Sequence, residues 1–201
     1  VALHGAQVLS WVAGGRERLY LSPKTLLDGQ SAIRGGVPVC FPQFSGRGVL
    51  PKHGLVRTKA WQLRAKTDSA LILAIFDDDE TRAQWPYAFE LIQTLVLDAG
   101  GLSIALDFHN RSVLPLVFTA ALHTYLRVDD VTQCALQGLD GCDYEDAADG
   151  GRYKTQHGAL RIHGEVDRVF ADAPDSLLLQ RGGKPDMRIA QGGFADTVVW
   201  C

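Results

Sequence analysis

Apolar residues along this chain recur in short runs that alternate with polar positions, and glycine, proline or acidic clusters separate the runs. Residues 3–21 (LHGAQVLSWVAGGRERLYL) hold two such runs on either side of Gly14-Gly15, which predicts a hairpin. Residues 61–64 and 71–76 read as strands, and Asp77-Asp78-Asp79-Glu80 predicts a turn followed by a helix start. The stretch FELIQTLVLDAGGLSIALDFHN makes a second hairpin around residues 98–101. Residues 116–128, 160–170 and 177–179 continue the strand pattern, a turn is expected at Lys184-Pro185-Asp186 before MRIAQ, and DTVVW closes the chain. No segment sustains a 3.6-residue apolar period. The elements therefore predict a single all-β domain over residues 1–201, an antiparallel β-sandwich without internal repeat or linker. VALHGAQVLSW and FADTVVWC both read as strands under way, so the chain is expected to be a fragment truncated at both ends.

One stretch breaks this pattern. Residues 31–61 (SAIRGGVPVCFPQFSGRGVLPKHGLVRTKAW) combine Arg34, Arg47, Lys52, His53 and Arg57 with glycines and prolines and contain no acidic residue. Arg34-Gly35-Gly36 disfavours a helix, and Pro38, Pro42 and Pro51 disfavour a central strand. A long rigid loop rich in cations and glycine amides suits a small anion such as phosphate or carboxylate. A solvated basic loop is the alternative. His123, in ALHTYLRV, sits among apolar neighbours, where a hydrogen-bonded core histidine and a catalytic one are both open readings. Asp167, in GEVDRVF, and Glu165 fall on one face of the expected strand, with Arg168 on the other.

Composition narrows the partners. A net charge of -3 over 201 residues argues against nucleic acid as the general partner, while leaving room for a local cationic pocket. No run reaches the roughly 18 to 20 apolar residues that span a bilayer, and the opening residues do not form a signal peptide, so no membrane partner is expected. Four scattered cysteines (Cys40, Cys134, Cys142, Cys201) form no CxxC, which favours free thiols in a reducing, cytoplasmic setting. His163 and Glu165, two apart, are a weak metal signal, and no metal site is predicted.

RGGVPVCFPQF followed by HGLVR, and then LHTY, resembles the hexose-6-phosphate mutarotases, the glucose-6-phosphate 1-epimerase branch of the aldose 1-epimerases. The resemblance implies a galactose mutarotase-like supersandwich and a monomer that interconverts the α and β anomers of an aldohexose 6-phosphate without a cofactor. It implies that His123 is the general acid and that Arg34, His53, Arg57 and Asp167 contact substrate, with Arg34 and Arg57 as two buried arginines toward the phosphate. Lys52 stands where the family usually has glutamine, replacing an acceptor by a charge. Arg47 falls in a variable segment, and Phe170 replaces a tyrosine of the family's pattern. The family's catalytic glutamate has no matching position in these residues. Two alternatives stay open: a sugar-phosphate-binding module without that base, and a mutarotase for neutral sugars.

Overall fold

The computed structural model describes residues 1–201, which form two compact units, 1–127 and 128–201. In the first unit the Gly14-Gly15 hairpin is present as β1 (Val12–Ala13) and β2 (Arg16–Glu17), with both glycines at positive φ as this tight turn requires. A four-stranded antiparallel sheet follows, in the order β4 (Gln62–Lys66), β5 (Ala70–Phe76), β6 (Phe89–Leu97) and β7 (Leu102–Asn110). Between β5 and β6 the acidic cluster does as its composition predicts. Asp78 caps helix α1 (Asp79–Gln84) in a reciprocal capping box with Thr81. Asp78 and Glu80 also pair with Lys59, so that cation of the basic stretch is neutralised from outside it.

Alternate residues of β6 (Phe89, Leu91, Gln93 and Leu95) are buried, Phe89 and Leu91 in a core centred on Phe41 and Leu95 against Val8, Leu19 and Val37. The Phe41 ring is fully buried and lies 5.2–5.6 Å from the rings of Phe89, Phe118, Phe108 and Trp85. Residues 35–43 are buried throughout, so this part of the basic stretch is interior chain and not a solvated loop. Its short strand β3 (Val39–Cys40) pairs with β8 (Ala121–Leu122). The strand expected over 116–128 is regular only there. On either side Thr119, His123 and Tyr125 donate their N–H groups to the carbonyls of Pro42, Pro38 and Gly36. Prolines cannot donate in return, which keeps this pairing irregular.

Gln93 is wholly buried, and both polar atoms of its amide lack a hydrogen-bond partner. Removing a buried polar group that satisfies nothing is favourable. Gln93→Leu is expected to stabilise the chain by about 1 kcal/mol in urea denaturation; an unchanged or lower midpoint would mean that the amide is satisfied in solution.

The second unit is a two-sheet sandwich. One sheet runs β11 (Arg152–Thr155), β10 (Asp143–Asp146), β13 (Asp167–Ala171), β16 (Asp196–Trp200). The other runs β12 (Leu160–Arg161), β9 (Cys134–Gln137), β14 (Ser176–Arg181), β15 (Lys184–Ala190). Tyr144 and Phe170 of the first sheet meet Leu160 and Leu177 of the second in one core. Two sequence expectations are corrected here. The strand expected over 160–170 is broken between β12 and β13, so Glu165 lies outside the strand and is exposed. The turn falls at Gly182-Gly183, both at positive φ, and Pro185 lies within β15. β15 is an edge strand, and its register against β14 shifts beside Gln180↔Pro185, the setting in which a strand accommodates proline.

Candidate active site

The buried end of the basic stretch and the histidine-bearing chain that crosses it enclose one side of a cavity of about 550 Å³ in the first unit. Arg34, Arg57, His53, His123, Cys40 and Tyr125 line it. Distant parts of the sequence meet there because the fold holds their backbones closely. Gly54 lies against Phe41 so tightly that a Cβ would stand 2.1 Å from the Phe41 carbonyl oxygen, and Leu55 N–H donates to that same oxygen. Any larger residue at position 54 would separate HGLVR from VCFP.

Arg34 is fastened on every side. Its N–H donates to Thr25 Oγ1 at 2.8 Å, and its carbonyl accepts from Ser22 N–H at 2.9 Å. The buried Gln7 amide donates to the carbonyls of both neighbours, Ile33 at 3.2 Å and Gly35. The two glycines after Arg34 serve close packing: a Cβ at Gly35 or Gly36 would meet the carbonyls of Tyr20 or Val8. The Gly36 N–H is committed to Tyr20 and the Gly54 N–H to Pro51, so neither amide is available to an anion. Neither arginine forms an ion pair. Arg34 is exposed and Arg57, in the single 3₁₀ turn Val56–Thr58, is half-buried, so the expected pair of buried arginines reduces to Arg57.

His53 occupies the left-handed region at φ 69. The Ser45 N–H lies 3.3 Å from its Nδ1, with Cys40 Sγ also at 3.3 Å. A backbone N–H can only donate, so Nδ1 accepts and the neutral ring carries its proton on Nε2. Burial, reinforced by Arg57, His123 and Lys52, pulls the His53 pKa down to about 4. His53 is thus a neutral donor at physiological pH and not an acid–base group. Burial likewise pushes the Cys40 thiol up to about 12, which leaves it un-ionised. His123 is half-buried; its ring stacks on Tyr125 at 4.7 Å and 14° and meets His53 edge-on at 5.4 Å and 84°. Burial raises the Tyr125 hydroxyl pKa, with Cys40 adding to the rise while Arg57 and Arg34 oppose it.

The neutral ring of His53 has a consequence for stability. In the unfolded chain the imidazole protonates near 6.5, and in the folded chain only near 4. Between these values the unfolded state binds the extra proton, so stability present above pH 6.5 is lost as pH falls toward 4. The ring is partly exposed, which reduces the loss between pH 7 and pH 5 to about 1 kcal/mol. His53→Asn, which tolerates the left-handed backbone, should flatten that slope in urea denaturation. An unchanged slope would overturn the neutral-ring assignment.

The remaining site expectations separate. Lys52 is exposed and outside the cavity lining, though its charge is felt at His53. Asp167 lies half-buried on β13 in the second unit, opposite Trp200. Arg168 turns to Gln156 and to the Tyr144 ring, away from Asp167. No group of three or more His, Cys, Asp or Glu side chains is placed to hold a metal ion. No helix is long and apolar enough to cross a membrane. Among the lining residues not given a role from the sequence are Tyr125 and Lys24. Tyr125 follows His123 by two positions, the spacing that shares a strand face. Lys24, ten residues before Arg34, carries no sequence signal.

This architecture is that of the galactose mutarotase-like proteins. A galactose mutarotase-like protein from Lactobacillus casei superposes with a TM-score of 0.81 over 100% of this chain and 78% of its own, at 19% identity. A "putative mutarotase" from Salmonella typhimurium gives 0.79 at 29% identity, covering 90% of this chain and 62% of its own. The sequence model described as Aldose 1-epimerase matches residues 1–200, and the chain belongs to that family. It is 31% identical over its whole length to a "Putative glucose-6-phosphate 1-epimerase" of Cenchrus ciliaris, and 32% identical over 89% of its length to a protein of the same description from Escherichia coli. It spans 65% and 61% of those relatives, under two thirds of their length.

Proposed function

We propose that the cavity binds an aldohexose 6-phosphate, glucose 6-phosphate foremost, and that the protein interconverts its α and β anomers. The observation that carries this reading is the convergence of His123 with two arginines that have no ion-pair partner, in a cavity with no carboxylate among its lining residues. Half-buried Arg57 gains more from an anion than from the hydroxyls of a neutral sugar. The phosphate is held by Arg57 and Arg34, with Lys52 adding positive potential from outside. The sugar ring lies against His123, and His53 donates from Nε2 to a ring or hydroxyl oxygen.

In the reaction His123 gives its proton to the ring oxygen while a base takes the proton of the C1 hydroxyl. The C1–O5 bond breaks, an aldehyde forms, rotation about C1–C2 presents its other face, and closure reverses both transfers. The family resemblance gives the base to a glutamate that these residues do not match. The carboxylate-free lining therefore favours a second reading for this chain taken alone, a sugar-phosphate receptor. Exchange spectroscopy separates the two. Anomer exchange on glucose 6-phosphate well above the rate in buffer, and faster than on glucose, supports the mutarotase. Saturable shifts of the sugar-phosphate signals without exchange support the receptor, and neither response would sink both.

A further inference from the structure

The segment from Ser22 to Ser31 brings Lys24 and Leu26 to the same cavity as Arg34, Arg57 and His123. Its bonds explain how. Ser22 N–H donates to the Arg34 carbonyl, Thr25 N–H returns to the Ser22 carbonyl at 3.0 Å, and Thr25 Oγ1 accepts the Arg34 N–H at 2.8 Å. Lys24 therefore sits between two residues that grip the backbone of Arg34. Its ammonium has no ion-pair partner. The one carboxylate of the segment, Asp28, is taken up at the segment's end by Gln30 N–H, Ser31 N–H and Ser31 Oγ, at 2.7–2.9 Å. It does not line the cavity. Three cations from separate parts of the chain thus face one space, and no acid there competes for them.

We propose that Lys24 is a specificity-determining residue, the third cation of a site that favours a dianionic phosphate ester over a monoanionic ester of the same sugar. The proposal rests on the hexose-phosphate reading above. A phosphate monoester carries close to two negative charges at neutral pH, since its second ionisation lies near 6. A cation at contact attracts each charge of the ligand, so its energy with a dianion is about twice that with a monoanion. At contact distance in water-like surroundings one pair of unit charges is worth about a fivefold change in affinity, so loss of a cation weakens a dianion more than a monoanion.

The test is isothermal titration of the whole protein at pH 7.5 with glucose 6-phosphate, glucose 6-sulfate and glucose. Lys24→Met keeps the aliphatic stem of an exposed side chain and should leave the circular dichroism spectrum unchanged. It is expected to weaken glucose 6-phosphate about 25-fold and glucose 6-sulfate about fivefold, and to leave glucose unchanged. Lys24→Arg should retain the wild-type preference. A Lys24→Met protein with the wild-type ratio of phosphate to sulfate affinity overturns the role of Lys24. If Arg57→Ala still loses phosphate ester binding in that case, the hexose-phosphate reading stands without Lys24. If Arg57→Ala binds as the wild type does, or the unmodified protein binds neither ester, that reading fails as well.

Discussion

Replacing His123 by alanine is expected to slow anomer exchange on glucose 6-phosphate by about 10²- to 10⁴-fold, the usual contribution of one positioned acid–base group. The expectation follows from its surroundings. Of the two cavity histidines, His53 has Nδ1 occupied and its pKa drawn down to about 4, so it cannot cycle a proton near neutrality. His123 is the remaining imidazole of the cavity, and the flat contact with Tyr125 fixes the plane of its ring. Binding of glucose 6-phosphate should change less than about threefold in the same variant, because the proposed phosphate contacts come from the cations of the cavity. Exchange spectroscopy and titration on one preparation check both halves. A variant that exchanges within about threefold of wild type would remove His123 from the chemistry. A variant that loses binding and exchange together would place it in recognition instead.

Arg57→Ala is expected to raise the dissociation constant for glucose 6-phosphate about 100-fold, and to change that for glucose by less than about threefold. Arg57 is half-buried without an anionic partner, so it benefits more from an arriving phosphate than exposed Arg34 does. It also depresses the pKa of His53, and its removal should let that ring protonate at a higher pH. Titration of the His53 ring signals by NMR gives a readout of Arg57 that is independent of any ligand. Equal losses on phosphorylated and free sugar would contradict the phosphate assignment and favour a neutral-sugar site.

Most of the elements are legible in the sequence because their causes are local. The Gly14-Gly15 and residue 98–101 hairpins follow from strand-forming runs around turn residues, and α1 follows from an acidic cap before a short helical stretch. The misplaced turn at Pro185 shows where local reading ends. Proline is unfavourable inside a central strand and harmless on an edge, and which strand lies at the edge depends on pairing with chain far away. Glu165 and Asp167 were assigned to one strand face by spacing, but the strand begins only at Asp167.

The site divides in the same way. Residue types alone mark a cationic, glycine-rich stretch as the candidate site and leave His123 open between core and catalysis, where the family resemblance points to catalysis. Tertiary structure decided where each sits. The glycines of RGG and HG serve close approach of backbones, since a Cβ there would strike Tyr20, Val8 or Phe41. Phe41 stands at the centre of the core and thereby draws Cys40, His53 and His123 together, and Lys24 joins them through bonds made by its neighbours. The physical reason is range. Turn formation, helix capping and strand alternation depend on a few adjacent residues, whereas the charge around an imidazole and the residues facing a cavity depend on chain segments tens of residues apart, which meet only when the core closes.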